Sequence, residues 1–243
     1  MIKSELGGSR IGIDLGASKI SGIIIDNNGR EILRMRRKVS LSYYRLLKDI
    51  IEIIEELGMG CSPIKSIGIC IPGFINSLGQ PNNVVNLPYI NNSLLISDLE
   101  KYFDRSIQFE NDANCFVLSE VTDGAAVDRS LVFGVILGTG VGGGLAVNGK
   151  LLLGKNRISG EWGHNPLPWR ESNDGDEKQC GCGRYGCIET YLNGLALTHD
   201  YKSITSNELD AKAISRIAET GDANAIDAIG RYSKRLAKAL AGV

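Results

Sequence analysis

The amino-acid sequence predicts an α/β fold in which a β-β-β-α-β-α half is used twice. Apolar runs at residues 11–14, 20–25 and 30–39 are joined by tight turns and predict a three-stranded meander. Residues 42–57 then carry apolar side chains at helical spacing. The same strand, glycine-rich turn and strand pattern begins again at residue 131. Two related lobes are therefore expected.

The other elements follow from the same patterns. In the first lobe, assigned to residues 1–112, further elements are predicted as a strand at 67–71, a helix at 94–103 and a strand at 107–110. A helix starting near Asp112 leads into the second lobe, residues 113–243. Its further strands are predicted at 131–137, 142–147 and 151–153, and its helices at about 188–193, 208–220 and 224–240. The loop between residues 154 and 186 is too long to be ordered without an additional constraint that holds it together.

Composition and charge narrow the class of protein. The 27 Lys and Arg residues balance 28 Asp and Glu residues, so no charge excess favours nucleic acid or an anionic membrane. Residues 1–10 are polar, and no apolar run approaches the ~20 residues of a membrane helix. We expect a cytoplasmic protein with neither a nucleic-acid nor a membrane partner.

The turn at residues 14–19 is a candidate phosphate site. Gly16 permits close backbone approach, Ser18 can donate a hydrogen bond to a phosphate oxygen, and Asp14 can hold Mg²⁺. Taken alone, a hairpin with a solvated Asp14 explains this turn equally well. Lys19, the last residue of this turn, is also assigned to the candidate phosphate site.

A second turn of the same kind, formed by Gly138, Thr139 and Gly140, strengthens the phosphate interpretation. With Gly143 these glycines also fit the dinucleotide-binding fingerprint, but that fingerprint requires a following helix. Residues 145–150 instead predict a strand and a turn. We therefore reject nicotinamide binding.

An acidic residue at the start of a predicted helix is the candidate catalytic base. Asp112 follows a strand, where ligands collect in α/β folds. Its carboxylate can accept the proton of a sugar hydroxyl that attacks a γ-phosphate, while Asn111 holds the sugar. The alternative is an Asx turn in which Asp112 caps the helix. Asn86, in an Asn-rich loop, is a further candidate sugar contact.

The long loop contains a candidate zinc site. Cys180, Cys182 and Cys187 crowd together, whereas the three other cysteines are scattered. With His164 they complete the tetrahedral ligand set of a closed structural zinc site. The alternative, three reduced cysteines and a surface histidine, leaves the loop without anything to order it.

Taken in order, these motifs resemble the ROK family of bacterial sugar kinases and repressors. The resemblance is carried by residues 14–19, 111–114, 138–142, 161–164 and 180–189. It covers nearly the whole chain. It implies an actin-like ATPase fold, of the ribonuclease H-like type, with two lobes, the sugar in the cleft and Mg-ATP across both glycine turns.

The resemblance also implies roles for individual residues. Asp112 would be the catalytic base, and the zinc ligands would be His164, Cys180, Cys182 and Cys187. The other sugar contacts would be Asn111, Glu161, His164 and Glu189. His164 would bridge metal and sugar, because a zinc-bound imidazole is rigidly oriented. Zinc would shape the site rather than activate water.

The expected substrate is a hexose that is phosphorylated by ATP. Residues 164–169 and 123–126 are most similar to fructokinases and mannokinases. Residues 136–144 and 111–116 are equally similar to N-acetylglucosamine kinases, and an N-acetylmannosamine kinase is a related alternative. Alternatives of another class are an inactive sugar-binding remnant and a sugar-responsive regulator. A regulator would need a DNA-binding motif before the first strand, where only ten residues lie.

Two departures from the family pattern stand out. The first turn reads Gly-Ala-Ser where the family usually has Gly-Gly-Thr, and Ala17 would tolerate a positive φ poorly. The family also continues beyond Leu240 with a strand, a glycine-rich turn and a closing helix, so the second lobe is expected to be incomplete. We expect low solubility and weak ATP binding for this chain, and a homodimer for a full-length member.

Overall fold

The computed structural model describes residues 8–61 and 63–243, so most of the polar segment before the first strand lies outside the described residues. The described chain divides into two compact units. The first unit extends to Phe116 and includes Leu153–Ile158, and the second contains Val117–Leu152 and Ser159–Val243. The sequence-based boundary at residue 112 stays a prediction.

The described part of the first unit contains seven strands, which are β1 (Ser9–Leu15), β2 (Lys19–Ile25), β3 (Glu31–Lys38), β4 (Ile64–Ile71), β5 (Phe74–Ile75), β6 (Pro81–Asn82) and β7 (Gln108–Asn111). Five of them form one sheet with the order β3-β2-β1-β4-β7, and β5 and β6 form a separate short hairpin. The first three strands form the expected antiparallel meander, and β4 runs parallel to both β1 and β7. The register therefore fixes which side chains meet where these parallel strands end.

Two helices cover this sheet, α1 (Tyr43–Gly58) and α2 (Leu95–Phe103). The apolar side of α1 buries Leu46, Ile50 and Ile53 against the sheet, in one cluster with Ile20 and Ile24 of β2. Burial of each such side chain stabilises the fold by about 1.5–3 kcal/mol. This core holds the ends of β1, β4 and β7 in fixed positions.

Helix α3 (Asp112–Thr122) begins directly after β7 and extends into the second unit. That unit contains the antiparallel strands β8 (Leu131–Leu137), β9 (Val141–Val147) and β10 (Lys150–Leu151). Its helices are α4 (Glu189–Leu192), α5 (Gly194–Thr205), α6 (Ala211–Glu219) and α7 (Ala223–Leu240). Trp162, Ile188, Tyr191 and Leu192 pack with Ala239 of α7 in its main core. No helix in residues 8–61 or 63–243 is long and apolar enough to cross a bilayer.

The α/β class and the order of the main elements are confirmed, but helix α5 is absent from the sequence prediction. Its N-cap is Asn193, whose side chain accepts a hydrogen bond from the Ala196 N–H at 2.7 Å. Leu195 and Ile204 are exposed, so apolar residues occupy both sides of this helix and obscure the helical period. Helix α6 also begins later than predicted, because Asp210 caps it.

Candidate functional site

The first glycine turn joins β1 to β2. The Gly16 N–H donates to the Lys19 carbonyl oxygen at 3.0 Å and closes the turn, and the Val39 N–H donates to the Ser18 carbonyl oxygen at 3.1 Å. Ser18 and Lys19 have exposed side chains. Ala17 does not adopt a positive φ, so the expected strain from alanine is wrong.

Asp14 lies just before this turn, on β1. Its side chain is exposed. Its register partner on the neighbouring strand β4 is Cys70, whose thiol donates to Asp14 Oδ1 at 3.5 Å. The exposed carboxylate is therefore available to a hard cation such as Mg²⁺.

Asn111 is the residue that caps helix α3. Its Oδ1 accepts hydrogen bonds from the Ala113 N–H at 2.9 Å and the Asn114 N–H at 3.2 Å. Its Nδ2 donates to the Gly73 carbonyl oxygen at 2.8 Å. The side chain is buried. Asn111 therefore anchors the start of the helix, and its sugar contact stays a prediction.

Asp112 begins α3 with an exposed side chain in a setting that favours a proton acceptor. Protein atoms around the carboxyl remove part of its solvation, which raises the pKa of Asp112 above its ordinary value, and the negative charge of Asp14 adds to this. The hydrogen bond from the Ala113 N–H to Oδ1, at 2.9 Å, opposes the shift. A carboxylate of raised pKa is a stronger general base.

The second glycine turn joins β8 to β9 and is closed by a hydrogen bond from the Gly138 N–H to the Gly140 carbonyl oxygen at 2.9 Å. Two helix starts hold it. Glu189 Oε2, at the start of α4, accepts from the Val141 N–H at 2.9 Å, and the Gly194 N–H of α5 donates to the Gly138 carbonyl oxygen at 2.9 Å. A side chain at position 140 would lie 2.8 Å from Glu189 Oε2. Sequence reasoning gave Glu189 only a sugar contact and missed this role.

The four predicted zinc ligands come together. One ligand atom from each of His164, Cys180, Cys182 and Cys187 lies within 4.8 Å of the others. His164 Nδ1 is 3.5 Å from Cys180 Sγ, and Cys182 Sγ is 3.7 Å from Cys187 Sγ. Three thiols and an imidazole at this spacing fit Zn²⁺.

The cysteines of this cluster differ in their surroundings. Cys180 and Cys187 are buried and Cys182 is exposed. Burial opposes ionisation of Cys182, but hydrogen bonds from the Arg184 backbone and side chain outweigh it and lower the pKa to about 6. The Cys180 thiol donates to Glu189 Oε1 at 3.6 Å. Glu189 thus contacts both the cysteine cluster and the second glycine turn.

The segment with Glu161 and His164 packs tightly against β9. Residues Trp162–His164 form one turn of 3-10 helix, and the His164 N–H donates to the Glu161 carbonyl oxygen at 3.3 Å. The indole N–H of the buried Trp162 donates to the Gly142 carbonyl oxygen at 2.7 Å. This packing fixes the direction of the His164 side chain.

Gly163 is the point of closest approach in this packing. A Cβ atom there would lie 2.0 Å from the Val141 carbonyl oxygen, so the backbone would have to move. We expect Gly163→Ala to lower the free energy of unfolding by about 1–3 kcal/mol, measured by urea denaturation. Gly181→Ala is the matched control, because a Cβ atom there meets nothing within 4 Å. Equal stability of the two variants would contradict the prediction.

The predicted residues divide between the two units. Those in the first unit are Asp14, Gly16, Ser18, Lys19, Asn86, Asn111 and Asp112; those in the second are Gly138, Thr139, Gly140, Glu161, His164, Cys180, Cys182, Cys187 and Glu189. Asn86 is exposed in the loop before a short 3-10 turn. In the first unit the charge of Asp14 helps to raise the pKa of Asp112, and in the second unit the structure brings the metal-ligand set together.

Known proteins match the chain over most of its length. It is 36% identical over 239 residues to an N-acetyl-D-glucosamine kinase of Salmonella newport (strain SL254), a match that covers 96% of this chain and 78% of that protein. A ROK hexokinase from Thermus thermophilus superposes with a TM-score of 0.82 at 26% identity, covering 96% of this chain and 76% of that one. A ROK family glucokinase from Streptomyces griseus, solved with glucose and AMPPNP, gives 0.79 at 25% identity, with 97% and 78% covered.

The fold and these relatives define the class of protein as an ATP-dependent sugar kinase with the actin-like ATPase fold. Within that class the chain belongs to the ROK family, whose model matches residues 10–243. The fold class and the family expected from the sequence are thereby confirmed.

Proposed function

We propose that this chain transfers the γ-phosphoryl group of ATP to a hydroxyl group of N-acetyl-D-glucosamine. The main support for this proposal is the setting of Asp112, an exposed carboxylate at the start of α3 whose pKa is raised by the surrounding protein and by Asp14. The choice of sugar is supported by 36% identity to N-acetyl-D-glucosamine kinases. Fructose and mannose, favoured by two sequence motifs, are the second candidates.

The proposed chemistry assigns a proton transfer to Asp112. Its carboxylate accepts the proton of the sugar hydroxyl as that oxygen attacks the γ-phosphorus, and the bond to the β,γ-bridging oxygen breaks. Asn111 holds the start of α3 through its contacts to Gly73 and the helix N–H groups, so the carboxylate is presented from a fixed position. Phosphoryl transfer depends mainly on positioning and on stabilising charge, which rigid supports favour.

The glycine turns are proposed to hold the nucleotide. Backbone N–H groups and the Ser18 hydroxyl can donate to phosphate oxygens, and Asp14 would hold the Mg²⁺ that accompanies ATP. Thr139 offers a hydroxyl in the second turn. Glu189 fixes that turn through the Val141 N–H.

A sugar panel tests this proposal directly. Purified chain with Mg-ATP is assayed for ADP release and for sugar phosphate by mass spectrometry, with N-acetylglucosamine, N-acetylmannosamine, glucose, mannose and fructose. We expect the highest kcat/KM for N-acetylglucosamine. A higher value for fructose or mannose would restore the fructokinase or mannokinase assignment. ADP release equal to the sugar-free control with every sugar would contradict kinase activity.

We also propose that His164, Cys180, Cys182 and Cys187 hold a structural Zn²⁺ that ties the long loop together. Bound zinc would supply folding free energy and would fix the His164 ring. The proton transfer at Asp112 does not involve the metal.

We expect purified chain to contain about one zinc ion, and Cys182→Ser to lose most of it and to have a lower Tm. Metal content is measured by plasma mass spectrometry and Tm by calorimetry. Cys61→Ser is the matched control, because Cys61 is a free cysteine just after α1 in the first unit and is not one of the four candidate ligands. Equal zinc in the two variants would contradict the ligand assignment.

A further inference from the structure

An arginine that no sequence motif singled out forms an ion pair beside the start of α3. Arg157 lies in the segment Leu153–Ile158, which belongs to the first unit although it follows β10 in the chain. Its Nη2 donates to Glu110 Oε2 at 2.7 Å. Glu110 is on β7, two residues before Asp112, and its side chain is 19% exposed. A short, charge-assisted hydrogen bond to a largely buried carboxylate is stronger than a surface ion pair.

The Glu110 carboxylate uses both of its oxygen atoms. Oε2 accepts from Arg157, whereas Oε1 accepts from the Asn111 N–H at 2.9 Å and from Asn114 Nδ2 at 3.1 Å. The side chain of Asn114 is buried in the first turn of α3. Asn111 and Asn114 stand on either side of Asp112 in the chain. Glu110 therefore holds the backbone that presents Asp112, and Arg157 holds Glu110.

The backbone of Arg157 adopts a conformation that glycine would adopt more easily. Its φ is +57°, in the left-handed region, and its N–H donates to the Gly154 carbonyl oxygen at 3.3 Å. For a residue other than glycine this conformation costs free energy, and it persists only where the surrounding structure holds it. An arginine at such a turn indicates that its side chain is used. The ion pair with Glu110 is the contact that uses it.

We propose that Arg157 is a positioning residue for phosphoryl transfer, which acts through Glu110 to fix the carboxylate of Asp112. The proposal rests on the proposed function, because it takes Asp112 as the base. Without Arg157, the Glu110 carboxylate is left largely buried without its counter-charge, and it is expected to turn towards solvent. Its bonds to Asn111 and Asn114 would then be lost. A displacement of the base by about 1 Å is enough to slow the reaction by about 10²-fold.

Steady-state kinetics separate positioning from substrate binding. Arg157→Met is expected to lower kcat by about 10- to 100-fold, with less than about a threefold change in KM for sugar and for Mg-ATP. Arg157→Lys keeps the charge but not the planar fork, so it should recover part of the lost kcat. Lys155→Met is the matched control, because Lys155 is an exposed basic residue of the same segment, and it should retain parental kcat. Parental kcat in Arg157→Met would overturn the proposal, and so would a raised KM for sugar with parental kcat.

A double variant tests whether Arg157 acts through the base. In the Asp112→Asn background, adding Arg157→Met should change kcat by less than about twofold, since residues that act as a unit have non-additive effects. Full multiplication of the two losses would show that Arg157 does not act through Asp112. Parental kcat in Asp112→Asn alone would instead refute the proposed base, so the two failures are distinguishable.

Hydrogen exchange tests the same support without reference to activity. The Ala113 and Asn114 N–H groups donate to Asn111 Oδ1, and both should exchange faster in Arg157→Met than in the parent or in Lys155→Met. Arg157→Gly removes the ion pair but suits the left-handed turn, so it should show the same fast exchange and the same low kcat. Unchanged exchange at these amides in both position-157 variants would contradict the proposal. If the chain phosphorylates no sugar, this measurement alone decides whether Arg157 orders the start of α3.

Discussion

Asp112→Asn is expected to lower kcat for sugar phosphorylation by about 10²- to 10⁴-fold, because the amide cannot accept the hydroxyl proton. The fold should remain intact, since Asn111 and not Asp112 caps helix α3. Steady-state kinetics measure kcat and KM, and circular dichroism and Tm check the fold. The KM for sugar is expected to change much less than kcat.

The control for this variant is Asp123→Asn, an exposed acidic residue just beyond the end of the same helix. It should retain parental kcat. Because the pKa of Asp112 is raised, the acid limb of the kcat/KM profile should lie at higher pH than for an ordinary aspartate. The base is active when deprotonated, so the rate falls as pH decreases through this pKa. A variant at position 112 with nearly parental kcat would exclude Asp112 as the base.

Local sequence patterns were sufficient for most of the secondary structure. The apolar alternation of β1 and the helical spacing in α1 report directly on which side of each element is buried. The candidate zinc ligands were also accessible to sequence reasoning, because three cysteines in one short run have few structural explanations. Helix α5 was missed because Leu195 and Ile204 face solvent and blur its period.

The features that the sequence did not predict depend on contacts between residues that are far apart in the chain. The contact of Glu189 with the Val141 N–H requires the position of α4 relative to β9, which no local pattern encodes. The residue that caps helix α3 could not be assigned from the sequence for a different reason, because two neighbouring residues are both suitable. Asn111 and Asp112 can both cap a helix in principle, and only the backbone geometry assigns the cap to Asn111. That assignment leaves Asp112 available for catalysis.

An ion network was also missed, and it gives the long loop a second attachment besides the cysteine cluster. Asp174, in a short 3-10 turn of the loop, accepts hydrogen bonds from Lys238 Nζ and the Glu171 N–H, both at 2.8 Å. Arg235 Nε lies 3.7 Å from Asp174 Oδ1, and both of these side chains are buried. Lys238 and Arg235 belong to α7, so the network ties the loop to that helix.

Asp174→Asn is expected to lower the free energy of unfolding of the second unit by about 1.5–3 kcal/mol, because it removes the charged partner of Lys238 and one of the two carboxylates beside the buried Arg235, the other being Asp200 at 3.5 Å. Burial alone would raise the pKa of Asp174, but hydrogen bonds from Lys238 and the Glu171 N–H outweigh it and hold the pKa below its ordinary value. This stabilisation is therefore present above the unfolded-state pKa and is lost as pH falls through the folded-state pKa. Urea denaturation at a series of pH values measures both effects.

Asp176→Asn is the matched control, since Asp176 is exposed in the same loop two residues away. It should change stability by less than about 0.5 kcal/mol. The stability difference between parent and Asp174→Asn should shrink towards acid pH, because the protonated aspartic acid of the parent has lost the charge that the variant lacks at every pH. Two outcomes would contradict this role of Asp174: equal stability of the 174 and 176 variants, or a stability difference that does not depend on pH.

A loop held by two independent attachments should also stay partly ordered when one attachment is lost. Cys182→Ser and Asp174→Asn should therefore each leave α7 folded, whereas the double variant should lose the protection of its amide hydrogens from exchange.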